Sequence, residues 1–514
     1  MKGHQVKHWS EVIAEEIIAE KHEPFVVASG ITTSGPTHMG TVCEVLYPSA
    51  ITKYLKDKGF QAEFIFIGDI MDALDSIPKP LEKFTALKKN LGEPLCNIPD
   101  PFNCCKSYGD HYLNEITRLM KDLEISAKIV SARELIQSGK YDNYAKIFQR
   151  GKTKIEEIAA RITKLSGKSG LPDWVEILMP VCENCGKIAT TRVTEFNGSM
   201  FAYICDKDVK YTKGCGYMGK MGIAKHKYKL FWRLDWPSRQ DFLNVSSELA
   251  GIDHHTLGGS WDTSVAIHRE VFKKTPPVGH RFGFVLLHGK KYSKSKGIGL
   301  NVQQLLSFVP PPLIKYKLFK PDLGNNKEFD PSGNSLIRLY EEYGRVADIF
   351  EKDEELHRAD HKMVLAYTLS TDKRRWRIDF TDALTHYQIY KDWDMIAEKF
   401  GDREGVKYLQ KYVEKWIKEE YLPREYVFRF KPTKTKEMNT EISQIAEKLE
   451  GTMNGKDVHN LVYTISKESN VNASDLFKTL YISLISKEYG PRFGKLVVAI
   501  GVDRVKKVLL RMYS

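Results

Sequence analysis

Two stretches of the chain carry residue types fit to hold a phosphate. In the first, an apolar run rich in β-branched residues (25–29) predicts a buried strand. Gly30, Gly35 and Pro36 then break regularity, and His38 and Gly40 lead into a helical pattern that begins near Thr41. Strand, glycine-bearing turn and helix start make an α/β nucleotide site. Backbone N–H groups and the positive end of the helix dipole face a phosphate there, and Gly40 admits the close approach of a flat ring or ribose. His38 supplies a ring N–H donor where negative charge would sit. The second stretch, Lys291-Tyr292-Ser293-Lys294-Ser295-Lys296-Gly297, packs three lysines and two serines into seven residues. No buried strand accepts that composition. It reads as an exposed loop whose ammonium groups meet charge developing on a leaving pyrophosphate.

The cysteines point to metal. Cys182 and Cys185 form a C-x2-C knuckle, and Cys205 and Cys215 follow, which is the pattern of a closed tetrahedral zinc site with a structural role. Asp100, Cys104, Cys105 and His111 make a second cluster just before a helical run, with Cys96 near enough to substitute. Adjacent cysteines are awkward ligands for one ion, because neighbouring side chains usually point apart. Cys43 is expected to be buried packing.

Composition bounds the rest. A chain of 514 residues predicts three or more domains. The formal net charge of +12 implies an acidic partner, of which nucleic acid is the commonest. No apolar window is long enough to span a bilayer. The opening residues read as an amphipathic helix bearing acids, not a signal peptide, so the cytoplasm is the expected compartment. Eight cysteines in so long a chain argue against a disulfide scaffold.

Taken in order, a helix over about 42–58 and a second apolar run at 62–67 predict a parallel βαβ unit, with Asp69 and Asp72 at the carboxyl edge of the sheet. From about 82 to 220 the pattern turns to polar helices and cysteines, an insertion dividing two halves of a nucleotide fold. The second half resumes near Tyr228, with candidates at 250–253, 265–272 and 284–288. From about Ser335 onward the reading is helical. One helix is placed around Val458–Ile465 with Asp457 as N-cap, and another around Phe477–Leu484, stopped by Gly490-Pro491. The basic, aromatic-laced segment 421–436 suits RNA phosphates and unstacked bases as well as it suits a solvated loop.

The two phosphate-holding stretches carry a resemblance. His38-Met39-Gly40-Thr41 is similar to the HIGH motif of class I aminoacyl-tRNA synthetases, and Lys291-Tyr292-Ser293-Lys294-Ser295 to their KMSKS motif. The chain resembles most the class I lysyl-tRNA synthetase family, found mainly in archaea and some bacteria. Ala28-Ser29-Gly30-Ile31-Thr32, Arg233-Leu234-Asp235-Trp236-Pro237, Gly258-Gly259-Ser260-Trp261-Asp262 and Gly490-Pro491-Arg492-Phe493-Gly494 extend the likeness over essentially the whole chain. Thr41 departs from the final His of HIGH, Thr33 from a frequent Pro, and Gln240 from an expected aromatic.

The resemblance implies an α/β fold: a Rossmann-type parallel-sheet catalytic domain (1–81 and 221–300) split by a zinc-bearing insertion that meets the acceptor stem (82–220). A connective stem-contact region (301–350) and an all-α anticodon-binding domain (351–514) follow. It implies ATP-dependent activation of lysine and transfer to the 2′-hydroxyl of the terminal adenosine of tRNA(Lys). The sequence does not reveal the oligomeric state, for which a monomer is the expectation. His38, Lys291 and Lys294 would be catalytic. ATP would meet Thr32, Ser34, His38, Gly40, Thr41, Gly258, Gly259, Asp262, Ser293 and Lys294, with Mg²⁺ sharing its charge. Lysine would meet Gly30, Thr32, Glu44, Asp69, Trp232 and His254. The family's second zinc set, Asp, Cys, His and His, falls on the Asp100–His111 cluster, with Cys105 in place of one histidine. The competing readings are a glutamyl- or glutaminyl-type class I synthetase, a tRNA-free adenylyltransferase, and a non-enzymatic zinc-ribbon protein that binds RNA.

Overall fold

The structure, a computed structural model, describes residues 7–291, 301–352 and 358–513. The chain divides into two compact units, one of residues 1–306, 314–329 and 356–370 and one of residues 307–313, 330–355 and 371–514. Five strands form the central sheet of the first unit: β1 (Phe25–Thr32), β2 (Ala62–Asp69), β3 (Lys128–Ser131), β4 (Ser247–Gly251) and β5 (Val278–Phe282), in the order β5-β4-β1-β2-β3 and parallel throughout. Phe25 to Ala28 in β1 and Phe64 to Ile67 in β2 are buried. Continuous apolar runs are what a parallel sheet covered on both faces requires. The last three residues of β1 are only half-buried, so the strand opens toward solvent at its carboxyl edge.

Helix α1 (Trp9–Glu20) precedes β1, α2 (Met39–Asp57) links β1 to β2, and α3 (Tyr108–Asp122) precedes β3. The chain leaves β1 toward β2 and β3 on one side, then returns on the other side as β4 and β5. The crevice outside the carboxyl ends of β1 and β4 is therefore the switch point of the sheet, where ligands bind in open parallel folds. The α2 start lies three residues earlier than the sequence pattern suggested, because His38 and Thr41 close a capping box there. β3, inside the 82–220 stretch, was not anticipated. At four residues, partly exposed, it lacks the apolar signature of the inner strands.

The same stretch carries the helices Ala132–Gln137, Lys140–Arg150 and Lys152–Leu165 and an antiparallel three-stranded sheet (Arg192–Phe196, Met200–Ile204, Met218–Gly222). After β5, Val285–Leu287 pairs antiparallel with Lys290–Lys291 and parallel with Lys327–Glu328. In the second unit the regular elements among the described residues are helical. Its C-terminal five (Asn439–Lys448, Gly455–Glu468, Ala473–Ile485, Phe493–Ile500, Val502–Tyr513) bury one apolar core. Two details differ from the sequence reading. Asn454, not Asp457, caps the Gly455 helix, with Asp457 as its reciprocal capping-box partner. The next helix stops at Ile485, where Ser486 turns left-handed, before Gly490-Pro491 is reached. No described helix is long and apolar enough to cross a membrane.

Candidate active site

A cleft of about 210 Å³ opens at the switch point. Ile31 and Thr32 end β1, Gly251 ends β4 and Phe282 ends β5. Around them stand His38, Gly40, Thr41 and Glu44 from the start of α2, Asp253 and His254 from the turn after β4, Phe284 just before the small sheet and Lys291 within it. The histidine turn and the first lysine of the basic loop thus border one cavity. Tyr292 to Leu300, including Ser293 and Lys294, lie outside the described residues. Lys291 reaches Asp253 Oδ2 at 3.1 Å and stands 3.6 Å over the Phe284 ring.

His38 is the N-cap of α2. Its Nδ1 accepts from the backbone N–H of Gly40 at 3.0 Å and of Thr41 at 3.3 Å, and its own N–H donates to the Thr41 hydroxyl. An unprotonated Nδ1 puts the proton of the neutral ring on Nε2, so the donor that can face a phosphate is Nε2–H. Thr41, the departure from HIGH, completes this cap. The close approach that Gly40 permits is that of the His38 ring, since a Cβ at 40 would sit 2.7 Å from His38 Cε1. The turn is buttressed from α3: Glu115 accepts from the Thr37 N–H at 2.7 Å and hydroxyl at 2.6 Å, and Tyr108 Oη donates to the Ser34 carbonyl at 2.8 Å. Sequence reading missed both supports, which stand more than seventy residues away.

Glu44 lies one turn into α2 on the cleft wall and accepts from Ser29 Oγ at 2.9 Å. Burial, with the Glu248 carboxylate adding to it, pushes its carboxyl up to about 8, against the pull of the Ser29 bond. Asp69 goes elsewhere. It is 3% exposed, with Oδ2 2.6 Å from Nζ of Lys229, which also pairs with Asp72, and Thr32 Oγ1 donates to Asp72. Behind these lie Asp235 and Arg239, the latter 3.6 Å from Glu248 and stacked 4.7 Å over the Trp232 ring. Trp232 stacks on Trp236 at 5.0 Å and backs the cleft residue His254. Gly30 is crowded by β2 and by Arg239: a Cβ there would stand 2.7 Å from the Ile67 carbonyl. Gln240 replaces the expected aromatic as a polar hub, donating to Glu248 at 2.8 Å and accepting from Ser264 at 2.6 Å.

Gly258, Gly259 and Asp262 are brought to a different place. Asp262 accepts from the Gly258 N–H at 2.8 Å, Arg233 donates to both glycine carbonyls, and Gly258 packs against the end of the Lys152–Leu165 helix. Their turn does not line the described cleft, and neither does Ser34, whose carbonyl is held by Tyr108.

Four sulfurs at about 2.3 Å from a central zinc stand about 3.8 Å apart in a tetrahedron. Cys182 to Cys215 and Cys185 to Cys205 are each 3.7 Å, and all four sulfurs lie within 4.8 Å of one another. The cluster could hold a metal ion, with every position of a tetrahedron filled by protein. Asp100, Cys104, Cys105 and His111 also bring ligand atoms within 4.8 Å. The adjacent cysteines converge because Asp100 accepts the N–H groups of Phe102, Cys104 and Cys105 and curls the loop around itself. His111 Nδ1 is 3.2 Å from Cys104 Sγ and 3.3 Å from Asp100. Cys96 stands apart, 3.3 Å from Met71 Sδ, and Cys43 is buried against Tyr47 as expected.

A family model described as tRNA synthetases class I (K) matches residues 7–372. A lysine–tRNA ligase of Archaeoglobus fulgidus is 32% identical over 97% of this chain and 99% of its own length. One from Methanosarcina barkeri is 31% identical over 95% of this chain and 94% of its own length. One from Methanocaldococcus jannaschii is 31% identical over 99% of both.

Proposed function

The chain belongs to the class I (K) tRNA synthetases, and on that premise we propose that it joins lysine to tRNA(Lys) at the expense of ATP, as a cytoplasmic monomer. The observation that carries the choice of lysine is Glu44, a carboxylate on the cleft wall with no cation partner among the described residues. Asp69 and Asp72 are already engaged by Lys229, which leaves Glu44 as the acid for an ε-ammonium. Phe282 and His254 supply apolar wall for the methylenes, with Trp232 behind them.

In the first step the lysine carboxylate attacks the α-phosphate in line and pyrophosphate leaves. No protein nucleophile or base is required, so positioning and charge stabilisation supply the rate. The α2 N-terminus and His38 Nε2–H would meet the phosphate oxygens, and Asp253 the ribose hydroxyls. Lys291 and Lys294 hold the β- and γ-phosphates. Mg²⁺, when bound with ATP, neutralises part of the triphosphate charge. In the second step the 2′-hydroxyl of the terminal adenosine attacks the activated carbonyl and AMP leaves. Zn²⁺ held by Cys182, Cys185, Cys205 and Cys215 would cross-link the insertion, and the donor set at Asp100, Cys104, Cys105 and His111 suits a second ion.

ATP–pyrophosphate exchange, run with each amino acid and with or without tRNA, tests the reading. Lysine-dependent exchange is expected; exchange driven by glutamate or glutamine, or by no amino acid, overturns it. Within that assay, His38→Asn separates two roles of one ring. Asparagine is a strong N-cap, so α2 and the thermal midpoint are retained, while the ring Nε2–H is replaced by an amide N–H of shorter reach. Adenylate formation is expected to slow at least tenfold, and a wild-type rate would remove His38 from the chemistry.

A further inference from the structure

The segment between the two groups of helices in the second unit has a chemistry that the active site does not use. Residues 427–436 contain no helix or strand, yet they are pinned along the C-terminal helices: Lys431 N–H donates to the Leu484 carbonyl at 2.9 Å, Thr433 N–H to the Ser483 carbonyl at 3.0 Å, and Thr435 N–H to Tyr513 Oη at 2.8 Å. Phe428 is buried in the apolar core and Phe430 packs against it, so the alternate residues Arg429 and Lys431 face solvent. Lys434 and Lys436 are exposed as well. None of the four has an ion-pair partner among the described residues, whereas Lys415 pairs with Glu419 and Lys448 with Glu468.

The helices beneath add charge of the same sign. Arg504 stacks 4.7 Å over the Phe430 ring, and Lys487 donates to the Val427 carbonyl. Lys391 lies close enough to Arg429 that, after burial, the guanidinium is what pushes its ammonium down. Charges of one sign that protein leaves unpaired at a surface make a positive potential that an anionic partner can meet. In an extended chain, residues two apart stand about 6.6 Å apart, a repeat comparable to that of successive phosphates along an RNA strand.

We propose that this strap is a track for the RNA backbone, with Arg429, Lys431, Lys434 and Lys436 neutralising consecutive phosphates and Phe430 with Arg504 offering a stacking edge to an unpaired base. It deepens the charging reading above and rests on it: the RNA is the tRNA substrate. Lys434 also covers the Tyr513 ring at 5.8 Å and is left intact in the test. The full chain carrying Arg429→Gln, Lys431→Gln and Lys436→Gln is compared with wild type for binding of a tRNA(Lys) transcript across a salt series. The dissociation constant is expected to rise at least tenfold at physiological salt. The slope of log affinity against log salt should fall by about two, since each lost contact to a single strand removes about 0.7. The lysine KM and the thermal midpoint should not move, and in wild type the transcript should slow amide exchange within 427–436. A control with Lys407, Lys411 and Lys418 changed to Gln removes equal charge from another face of the same unit. Equal loss in the control, or unchanged binding and slope in the variant, overturns the track. Wild-type chain that fails to bind the transcript overturns the charging reading together with it.

Discussion

Glu44→Gln is expected to raise the lysine KM at least a hundredfold and to leave ATP binding near its wild-type level. The carboxylate is the partner that a buried ammonium needs, and removing one member of such a hydrogen-bonded charge pair costs about 2–5 kcal/mol. A hundredfold corresponds to about 2.8 kcal/mol. The amide keeps the shape and can still accept from Ser29, so the fold is retained. The pH dependence gives the sharper signature. In the empty cleft, burial and the Glu248 charge hold the Glu44 carboxyl up at about 8. Below that value an arriving ammonium must displace a proton, so the lysine KM should fall about tenfold per pH unit as pH rises toward 8 and then level off. In Glu44→Gln the profile should be flat across this window. Stability follows the same group with its own sign. Because the folded pKa is raised above the ordinary 4.5, the contribution of Glu44 is fully present below about 4.5 and is lost as pH rises through about 8. Steady-state kinetics from pH 6 to 9 on both proteins, with lysine and ATP varied in turn, make the check. A variant with wild-type lysine KM would assign the ammonium to another acid.

How much of this was legible beforehand depends on sequence distance. The β1 run, the turn and His38 are contiguous, and local rules place them: β-branched residues for the strand, glycine and proline for the turn, a capping side chain for α2. The C-x2-C knuckle was legible for the same reason, and the two later cysteines follow once turns are allowed. What the sequence hid were pairings. Asp69 looked like a free carboxylate at a strand end, yet its partner Lys229 lies 160 residues on, across the insertion. Glu115 and Tyr108, which hold the turn before His38, gave no sign from within a polar amphipathic helix. The glycines at 258 and 259 were expected to meet ATP. Their left-handed or crowded backbone serves the packing of a turn on a neighbouring helix and the grip of Arg233. Glycine reports that something approaches the backbone, and here that something is protein.

The buried ion pairs behind the cleft set the largest expected effect on stability. Lys229 is 1% exposed and serves Asp69 and Asp72 together, with Asp235 close by. Lys229→Met fills the same space with an apolar chain but leaves these carboxylates without their cation. Breaking a buried pair from one side destabilises by about 3–5 kcal/mol, which for a chain of this length is a drop of a few degrees in the thermal midpoint. The deficit should itself depend on pH. Asp69 is already held up at about 6, by burial and by the Asp72 charge, with Lys229 pulling the other way. Without the lysine its pKa rises further, so the variant can recover stability by taking up a proton as pH falls. The difference in midpoint between wild type and Lys229→Met should therefore be larger at pH 8 than at pH 5.5. Adding Asp69→Asn to Lys229→Met removes the titrating group and one stranded charge, and should restore part of the loss at pH 8 while flattening the difference. A deficit that is the same at both pH values, and unrelieved in the double variant, would mean that Lys229 supports the fold by packing and not by charge.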